Sequence, residues 1–470
     1  MQVKEKNAVS ELVNTVGKEN ILTAKEELIP YMKDASYIEG IMPLALCLPK
    51  NTDQVSDIMR ICNKYKINVT ARSGGTSLTG SSTGSFSGVI LSTMNLNRIL
   101  DMDISSRYIV CEPGVRIDTL NSELRKYNFF YPPDPASSRA STIGGSLSTN
   151  AGGLRAVRYG ATKEWVLGME VVLPTGDIIR TGEYTLKRSA GYDLTALMIG
   201  SEGTLGIITK AILKIEPLPE ATARIIGFYS DIKSVGKSMD TIKSHGITPI
   251  MSEFMDLGTI NSIRKAMGLE IPDYTKYLLM VDVDSPSEAL EKKIAATQNI
   301  MSKFSRDVIV VRNQKRMDEI YAARKGAYSA LLEQRENSRQ LVVIGDVIVP
   351  SSHLADSLEE IEEYVKKDGI KTTLFGHIGD GNIHANMFMD NTEEGRKKME
   401  KLQMDIAKVA IEHNGSVSAE HGIGTEKNLL LYEEYRARNS LYSLEIMKLI
   451  KKAFDPNNIL NRGKIFYEPD

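Results

Sequence analysis

Residues 72–80, Arg-Ser-Gly-Gly-Thr-Ser-Leu-Thr-Gly, are the first of three glycine-rich stretches on which the fold prediction depends. Glycines let a backbone approach a ligand closely, and successive N–H groups can then bind a phosphate. The stretch is not a Walker A loop, because no lysine follows its last glycine, and it lacks the GxGxxG fingerprint. Taken alone, it could equally be an ordinary turn.

Two further stretches repeat this composition within 135 residues. Ser141–Gly153 reads Ser-Thr-Ile-Gly-Gly-Ser-Leu-Ser-Thr-Asn-Ala-Gly-Gly, and Gly200–Gly206 reads Gly-Ser-Glu-Gly-Thr-Leu-Gly. The rigid segment Pro132-Pro-Asp-Pro135 lies between the first and second stretches. Together the three stretches indicate one long ligand with a diphosphate, bound by exposed backbone amides and hydroxyls.

The elements around the first stretch predict a mixed fold. Residues 53–66 carry apolar side chains at helical spacing, and Thr52 is a candidate N-cap. Strands are predicted over 67–71 and 88–92. The order helix, strand, loop, strand indicates an α+β or α/β domain.

A second domain is predicted beyond Glu216-Pro-Leu-Pro219, which interrupts regular structure. Beyond that point apolar runs at 277–283, 308–311 and 341–349 alternate with amphipathic stretches such as 287–304. This alternation indicates a sheet with helices. The last apolar run is interrupted by the charged residue Asp346.

Composition excludes several classes of protein. Of 470 residues, 42% are apolar and 25% charged, and Lys+Arg 58 against Asp+Glu 60 gives a net charge of −2. These values argue against disorder and against a broad nucleic-acid-binding surface. Three cysteines are too few for a disulfide framework or a four-thiolate iron–sulfur cluster, so we expect reduced, buried thiols. With no signal core and no apolar stretch of membrane-spanning length, we expect a soluble cytoplasmic protein.

Two motifs near the C-terminus concentrate three of the six histidines. Gly376–Asn386 contains His377 and His384 around the turn-forming run Gly-Asp-Gly-Asn, and Ser418–Gly424 contains Glu420 and His421. A hairpin would bring the first two imidazoles to one rim, with His384 and Asn386 on the same face of its second strand. Two imidazoles and a carboxylate suit a catalytic divalent metal, although histidines are more often ordinary polar residues, as we expect for His245, His353 and His413.

The glycine-rich stretches resemble the FAD-binding domain of the vanillyl-alcohol-oxidase or PCMH type. The matching motifs are 72–80, 132–135, 143–153, the pair Tyr159-Gly160 and 201–209. Since some members attach flavin to a histidine near the first loop and none precedes His245 here, the resemblance implies non-covalent FAD. The implied cofactor-binding residues are Arg72, Ser73, Gly74, Gly75, Thr76, Ser77, Gly80, Pro133, Asp134, Ser141, Thr142, Gly144, Gly145, Ser148, Asn150, Gly152, Gly153, Tyr159, Gly160, Glu202, Gly203, Gly206 and Ile207.

The two histidine motifs resemble the C-terminal domain of FAD-linked D-2-hydroxy-acid dehydrogenases, such as D-lactate dehydrogenases and glycolate oxidase catalytic subunits. The resemblance implies one divalent metal (Zn, Fe or Mn) on His377, His384 and Glu420, with His421 as the base. It also implies that Asn386 contacts the substrate. An upstream arginine would bind the substrate carboxylate. Arg324 matches that place, with Arg335 and Lys325 as alternatives.

The resemblance also implies the architecture. We expect an α+β protein with a two-subdomain PCMH-type FAD-binding domain over 1–217. A substrate or cap domain with an antiparallel sheet would follow over 218–425 and carry the metal. A segment over 426–470 would pack back on the FAD domain. The ending at 454–464 matches the family pattern except for Arg462, where a proline is usual.

The implied activity is FAD-dependent oxidation of a D-2-hydroxy acid, foremost D-lactate to pyruvate. Electrons would pass to a partner protein such as an electron-transferring flavoprotein, as in similar bacterial lactate dehydrogenase subunits, within a larger complex linked to NAD and ferredoxin. Glycolate and D-2-hydroxyglutarate remain alternative substrates. Two other classes also remain open, namely a transferase like the alkyl-dihydroxyacetone-phosphate synthases and a non-catalytic flavin subunit that relays electrons. No nucleic acid and no membrane span are expected.

Overall fold

The computed structural model describes residues 3–467 and has an α+β fold. The described chain divides into two compact units. Unit 1 contains the residues up to Ala151, Ala161–Pro217 and those from Glu420 onward, and unit 2 contains Gly152–Gly160 and Leu218–Ala419. The domains predicted from the sequence extend to residues 1–2 and 468–470, which lie outside the described residues. Among residues 3–467, no helix combines the length and apolar content that crossing a membrane requires.

The strands of unit 1 are β1 (Ile21–Leu22), β2 (Ala45–Cys47), β3 (Asn68–Arg72), β4 (Gly88–Ser92), β5 (Ile99–Asp103), β6 (Tyr108–Cys111), β7 (Phe129–Phe130), β8 (Val166–Val172), β9 (Ile178–Gly182), β10 (Ile207–Lys214) and β11 (Glu216–Pro217). Those of unit 2 are β12 (Ala221–Tyr229), β13 (Met251–Asp256), β14 (Tyr277–Ser285), β15 (Asp307–Val311), β16 (Gln340–Ile344), β17 (Val347–Ile348), β18 (Thr372–Gly376) and β19 (Asn382–Asp390).

The helices are α1 (Val3–Val16), α2 (Lys25–Leu28), α3 (Thr52–Tyr65), α4 (Ile117–Leu124), α5 (Ile143–Thr149), α6 (Ala156–Tyr159), α7 (Leu194–Met198), α8 (Ile232–Ser244), α9 (Leu257–Met267), α10 (Leu290–Met301), α11 (Gln314–Lys325), α12 (Ala327–Glu333), α13 (Leu354–Asp368), α14 (Glu393–Glu412), α15 (Asn428–Ala437) and α16 (Leu441–Phe454). Short 3-10 helices cover 18–20, 29–32, 125–127, 162–165 and 351–353.

Unit 1 is built on two larger sheets. One has the order β1-β2-β4-β3, with β4 parallel to both β2 and β3, and it shares a core with α1 and α3. The other is antiparallel in the order β5-β6-β10-β8-β9 and packs on α4 and α5. The C-terminal segment joins the first sheet, because Leu460 pairs with Val69.

Unit 2 is built on one antiparallel sheet in the order β15-β12-β14-β13-β18-β19-β16, with β17 paired to β19. An apolar core joins this sheet to α9, α11 and α12. The predicted sheet-plus-helix domain with an antiparallel sheet is therefore observed.

Several local predictions are confirmed, and one is wrong. The predicted helix corresponds to α3, and the two predicted strands that follow it correspond to β3 and β4. The N-cap of α3 is not Thr52 but Asn51, whose side chain accepts a hydrogen bond from Gln54 N at 2.9 Å. Both residue types cap helices well, so composition alone did not distinguish them. All three cysteines are free and buried, as expected.

Candidate functional site

The candidate site in unit 2 lies on one face of its sheet. Residues directly opposite each other in an antiparallel pair project to the same face. The register pairs Phe375 with both Met255 and His384, and it pairs Thr373 with Asn386. Since side chains alternate along a strand, these five residues share one face. This is the face that packs against α9, α11 and α12.

Glu253 lies on the same face, two residues before Met255, and its side chain is fully buried. Its Oε1 atom is 2.6 Å from Nδ1 of His377. Its Oε2 atom is 2.6 Å from Nη2 of Arg324, as an ion pair without the alignment of a hydrogen bond. One buried carboxylate therefore contacts two of the predicted site residues.

Both imidazoles of the predicted metal site are held through Nδ1. His377 donates to the Glu253 carboxylate, and His384 Nδ1 lies 3.2 Å from the carbonyl oxygen of Gly345. Because carbonyls and ionised carboxylates only accept hydrogen bonds, Nδ1 of each ring carries a hydrogen, and in a neutral ring Nε2 then carries the lone pair. The two ring centroids are 5.3 Å apart. This orientation through the second nitrogen is what histidine metal ligands commonly have.

Arg324 is the buried member of the three arginine and lysine candidates for binding the substrate carboxylate. It is 2% exposed, and its guanidinium lies 4.3 Å from the ring centroid of Phe375. Within residues 3–467, its Nε atom has no hydrogen-bond partner. Arg335 is exposed and donates to Leu332 O, and Lys325 is half-buried beside the ring of Tyr321.

Asn386 and Thr373 add unsatisfied polar atoms on the sheet face that also carries Phe375, which Arg324 contacts. Asn386 Nδ2 donates to Thr373 O at 3.1 Å, whereas Asn386 Oδ1 and Thr373 Oγ1 have no hydrogen-bond partner among the described residues. Buried polar atoms without partners are rare and indicate a ligand or water. A small molecule with a carboxylate and a hydroxyl fits this donor and acceptor set.

Asp346 anchors the chain that leads to Glu420. Its carboxylate accepts from Asn382 Nδ2 at 2.7 Å and from Ser418 Oγ and Ala419 N at 3.0 Å each. Ala419 is the last residue of unit 2 in this part of the chain, and Glu420 follows it as the start of the last segment of unit 1. Metal ligation by Glu420 stays a prediction.

In unit 1 the first two glycine-rich stretches contact each other. Ser73 Oγ accepts from Thr142 Oγ1 at 2.6 Å, and Thr76 Oγ1 lies 3.1 Å from Ser141 Oγ. A Cβ on Gly74 would lie 2.5 Å from the carbonyl oxygen of Ala140, so only glycine allows this approach. The result is a cluster of hydroxyls and glycine amides, which is the donor chemistry that a diphosphate needs.

The end of the first stretch also fixes the backbone at His421. Thr79 Oγ1 donates to His421 O at 3.3 Å, and Thr79 O accepts from Thr425 N at 3.0 Å. The buried Glu202 accepts from Ile423 N at 2.7 Å and Gly424 N at 2.8 Å. Burial raises the pKa of Glu202, although these hydrogen bonds act in the opposite direction. Glu202, predicted to bind cofactor, thus holds the loop that follows His421.

Other residues predicted to bind cofactor have visible structural roles. The Arg72 guanidinium donates to the carbonyls of Ser82 and Lys33. Ile207 is part of the core of unit 1. A Cβ on Gly144 would lie 2.5 Å from Cβ of Pro113, and one on Gly206 would lie 2.4 Å from Cγ1 of Val171. The remaining members lie in the glycine-rich stretches, in the segment 132–135 or in α5, and their contact with cofactor stays a prediction. These are Gly75, Ser77, Gly80, Pro133, Asp134, Gly145, Ser148, Asn150 and Gly203.

Four predicted cofactor residues belong to unit 2 instead. Gly152, Gly153, Tyr159 and Gly160 lie in the segment 152–160, which the predicted boundary at 217 assigned to the FAD domain. The segment joins unit 2 through Leu154, which is part of its core, and through other residues such as Arg158, which forms an ion pair with Asp284. The final segment of unit 1 likewise begins at Glu420 rather than at 426.

Sequence reasoning missed the two buried carboxylates of the site. Glu253 lies between apolar and small residues in the interior of β13, which ends at a second acidic residue, Asp256, and Asp346 interrupts the apolar run after β16. A charge at a buried strand position needs a partner, so each interruption was a usable signal. The identity of the partners was not readable, because Arg324 and His377 lie 71 and 124 positions away from Glu253 in the chain.

Comparison with protein families gives two matches. Residues 218–465, more than half of the chain, match the model described as FAD linked oxidases, C-terminal domain. Residues 43–182 match the model described as FAD binding domain. The chain therefore carries an FAD-binding domain.

Curated relatives match over nearly the whole chain. The glycolate oxidase subunit GlcD of Bacillus subtilis (strain 168) is 35% identical over 98% of this chain and 97% of its own length. A D-lactate dehydrogenase of Anaerostipes hadrus is 34% identical over 96% of both chains.

The fold is shared with solved structures at lower identity. The 4-ethylphenol oxidase of Gulosibacter chungangensis superimposes with a TM-score of 0.80 at 20% identity, covering 100% of this chain and 98% of that chain. This shows the PCMH-type fold, whereas the curated relatives show the family. The chain belongs to the FAD-linked oxidases, as an oxidoreductase of the D-lactate dehydrogenase and glycolate oxidase family.

Proposed function

We propose that this protein oxidises a D-2-hydroxy acid to the 2-oxo acid, with D-lactate as the preferred substrate and pyruvate as the product. The observation that carries the proposal is the cluster of Arg324, His377 and His384 on one sheet face. There the Nδ1 atom of each imidazole contacts an acceptor oxygen. The buried Nε atom of Arg324 has no hydrogen-bond partner among the described residues. A 2-hydroxy acid offers a carboxylate and a hydroxyl, which are the groups that this set can bind.

The residues present fit both groups that the family implies. The two histidines, held in the tautomer that ligates metals, and Glu420, one residue after the anchored Ala419, would hold a divalent ion. The hydroxyl cluster around Ser73 and Thr142 would hold the FAD diphosphate. The chemistry these groups supply when bound is polarisation of the substrate hydroxyl and acceptance of a hydride.

The chain's own residues bind the substrate and move its proton. Arg324 binds the carboxylate through charge-assisted hydrogen bonds. Asn386 contacts the substrate from the same sheet face, where its buried Oδ1 atom has no hydrogen-bond partner among the described residues. His421 takes the hydroxyl proton as general base, which suits an imidazole near neutral pH. Holding the carboxylate and the hydroxyl at two fixed points leaves one Cα–H direction for transfer, and this selects one enantiomer.

Turnover of an acid panel with an artificial dye as acceptor tests the substrate. We expect kcat/KM to be highest for D-lactate, lower for glycolate and D-2-hydroxyglutarate, and negligible for L-lactate. Highest turnover of glycolate would support the function of the Bacillus relative instead. Turnover of L-lactate alone would contradict the proposal.

His421 distinguishes a catalytic subunit from an electron relay. We expect His421→Ala to keep bound FAD but to lose about 10²–10⁴-fold in its reduction by D-lactate, because a general base contributes that much. The matched control is His413→Ala, since His413 lies at the end of α14, where it contacts Glu360. Wild-type rates in both variants would remove His421 as the base, and absence of reduction by D-lactate in the wild type as well would favour the relay.

We propose further that a separate protein, an electron-transferring flavoprotein, reoxidises the flavin. The relative from Bacillus subtilis is named a subunit, which supports transfer to another chain. Mixing the substrate-reduced protein with an oxidised electron-transferring flavoprotein should transfer electrons faster than reaction with oxygen or cytochrome c does. Transfer to cytochrome c alone would contradict this assignment, and a complex with NAD and ferredoxin activity would extend it.

A further inference from the structure

Glu253 is the most completely enclosed charged group of the candidate site, with 0% of its surface exposed. Each of its carboxylate oxygens is 2.6 Å from a different cationic or hydrogen-bearing group, His377 on one side and Arg324 on the other. An ionised carboxylate without such partners would be strongly unfavourable in this position. The two partners come from different elements, α11 and the turn after β18.

We propose that Glu253 is a positioning residue that orients the substrate-carboxylate anchor and a metal ligand through one carboxylate. This inference rests on the proposed function, because it takes Arg324 as the anchor and His377 as a ligand. Glu253 itself is not assigned a contact with substrate, cofactor or metal.

On the histidine side, Glu253 sets the tautomer and the basicity of His377. The carboxylate accepts the Nδ1 hydrogen, so Nε2 carries the lone pair, and the negative charge raises the electron density of the ring. An acceptor without a charge would keep the orientation and lose part of this polarisation.

On the arginine side, Glu253 and Phe375 hold the guanidinium from two directions. Glu253 holds Nη2, and the ring of Phe375 lies 4.3 Å from the guanidinium carbon. These two contacts fix the guanidinium group while its Nε atom has no partner among the described residues. The Nε side of the group can therefore bind an incoming carboxylate. Loss of Glu253 would free the guanidinium to rotate and would add an unbalanced buried charge.

Glutamine at this position cannot serve both partners. Its amide has one oxygen to accept a hydrogen bond, and its NH₂ group would face a second donor. Glu253→Gln therefore keeps the volume but must lose either the contact with His377 or the contact with Arg324.

The experiment measures metal affinity and Michaelis constants on the FAD-loaded protein. Zn²⁺ dissociation constants come from competition with a chromophoric chelator, and KM and kcat for D-lactate come from dye reduction at saturating metal. We expect Glu253→Gln to bind Zn²⁺ about 10–100-fold more weakly, the usual cost of losing a group that orients a ligand histidine. We also expect at least a tenfold rise in KM, with kcat changed less.

Asp282→Asn is the matched control. Asp282 forms another buried ion pair with an arginine of this sheet, Arg224. We expect a lower melting temperature but unchanged Zn²⁺ affinity and KM, so a general loss of stability is separated from positioning. Wild-type values of both constants in folded Glu253→Gln would overturn the inference.

Two further arms keep the test decisive. If Glu253→Gln does not fold, Glu253→Asp keeps the charge but is one methylene shorter, so it reaches only one partner. We then expect one constant to change and the other to hold, and two unchanged constants would overturn the inference. A wild-type protein that binds no divalent ion would contradict the proposed metal, which is a different failure. That result would overturn the claim that Glu253 orients His377 as a metal ligand. The KM of Glu253→Gln would still test the claim that Glu253 orients Arg324.

Discussion

Two buried arginine–carboxylate pairs lie on the same sheet of unit 2 and differ in how completely they are satisfied. Arg224 donates from Nε and Nη2 to the two oxygens of Asp282, each at 2.7 Å, and from Nη1 to Met317 O at 2.8 Å. Arg324 has a single close contact with Glu253, and its Nε atom has no partner among the described residues.

The difference separates scaffold from binding site. In the Arg224–Asp282 pair every guanidinium nitrogen and both carboxylate oxygens have a hydrogen-bond partner, so we assign this pair the structural role of joining β12 to β14. A pair that leaves a buried donor unused is unfavourable until something binds there. Incomplete satisfaction is therefore the property that makes Arg324, rather than Arg224, the candidate for binding a ligand.

Between the two arginine pairs, the largest expected effect on activity comes from Arg324→Met. Removing one member of a buried charge pair typically costs about 2–5 kcal/mol in binding, so we expect kcat/KM for D-lactate to fall by about 10²–10³-fold while FAD stays bound. Steady-state kinetics at saturating metal measure this loss. An activity loss below tenfold would remove Arg324 from the site.

Arg224→Met is the counterpart, and we expect it to lower stability and leave activity unchanged. It leaves Asp282 buried without its cation, so we expect a loss of about 3–5 kcal/mol in unfolding free energy. Activity per folded molecule should be unchanged. Denaturant unfolding and active-site-normalised rates measure the two quantities. The comparison would fail if both variants lost catalysis and stability to the same degree.

Removing the metal should lower activity, in which we place the Arg324–Glu253 pair. It should not change the stability that the Arg224–Asp282 pair provides. A Lewis acid at the substrate hydroxyl contributes several kcal/mol, so we expect a chelator to slow flavin reduction by about 10²-fold or more. Adding Zn²⁺, Fe²⁺ or Mn²⁺ back should restore it and identify the ion. Full activity after complete metal removal would refute the assignment of His377 and His384 as ligands.

Asp256, the half-buried last residue of β13, is a further carboxylate of this sheet, with backbone amides as its partners. It accepts from Thr259 N and Leu374 N at 2.8 Å each, and burial raises its pKa to about 6. The folded state then binds a proton that the unfolded chain loses near pH 4. We therefore expect this group to lower stability as pH rises from about 4 to 6, by up to about 3 kcal/mol.

Asp256→Asn should flatten that slope, because the amide does not ionise. Unfolding free energies measured between pH 4 and 7 give the slope in each protein. An unchanged slope would show that Asp256 is ionised throughout this range and that its two amide contacts outweigh burial.

The smallest expected effects come from two glycines of α5. We expect Gly144 to be needed for stability and Gly145 for FAD binding. A Cβ on Gly144 would clash with Pro113, whereas one on Gly145 would meet only Thr142 Oγ1, at 3.3 Å. We expect Gly144→Ala to cost about 1–3 kcal/mol of stability. Gly145→Ala should change stability less and weaken FAD binding. Equal melting temperatures would contradict this division.

Local features were readable from the sequence, and long-range partners were not. The hairpin with His377 and His384 was predicted because turn chemistry and strand period act within a few residues. The placement of 152–160 in unit 2 was missed, since it depends on Leu154 joining a core assembled from distant strands. Glu253 was missed for the same reason.

The most direct test of the account is an anaerobic absorbance spectrum of the FAD-loaded protein before and after addition of D-lactate, and separately of L-lactate. We expect D-lactate to bleach the flavin within the time of turnover and L-lactate to leave it oxidised. Bleaching by L-lactate alone, or by neither acid in metal-replete protein, would contradict it.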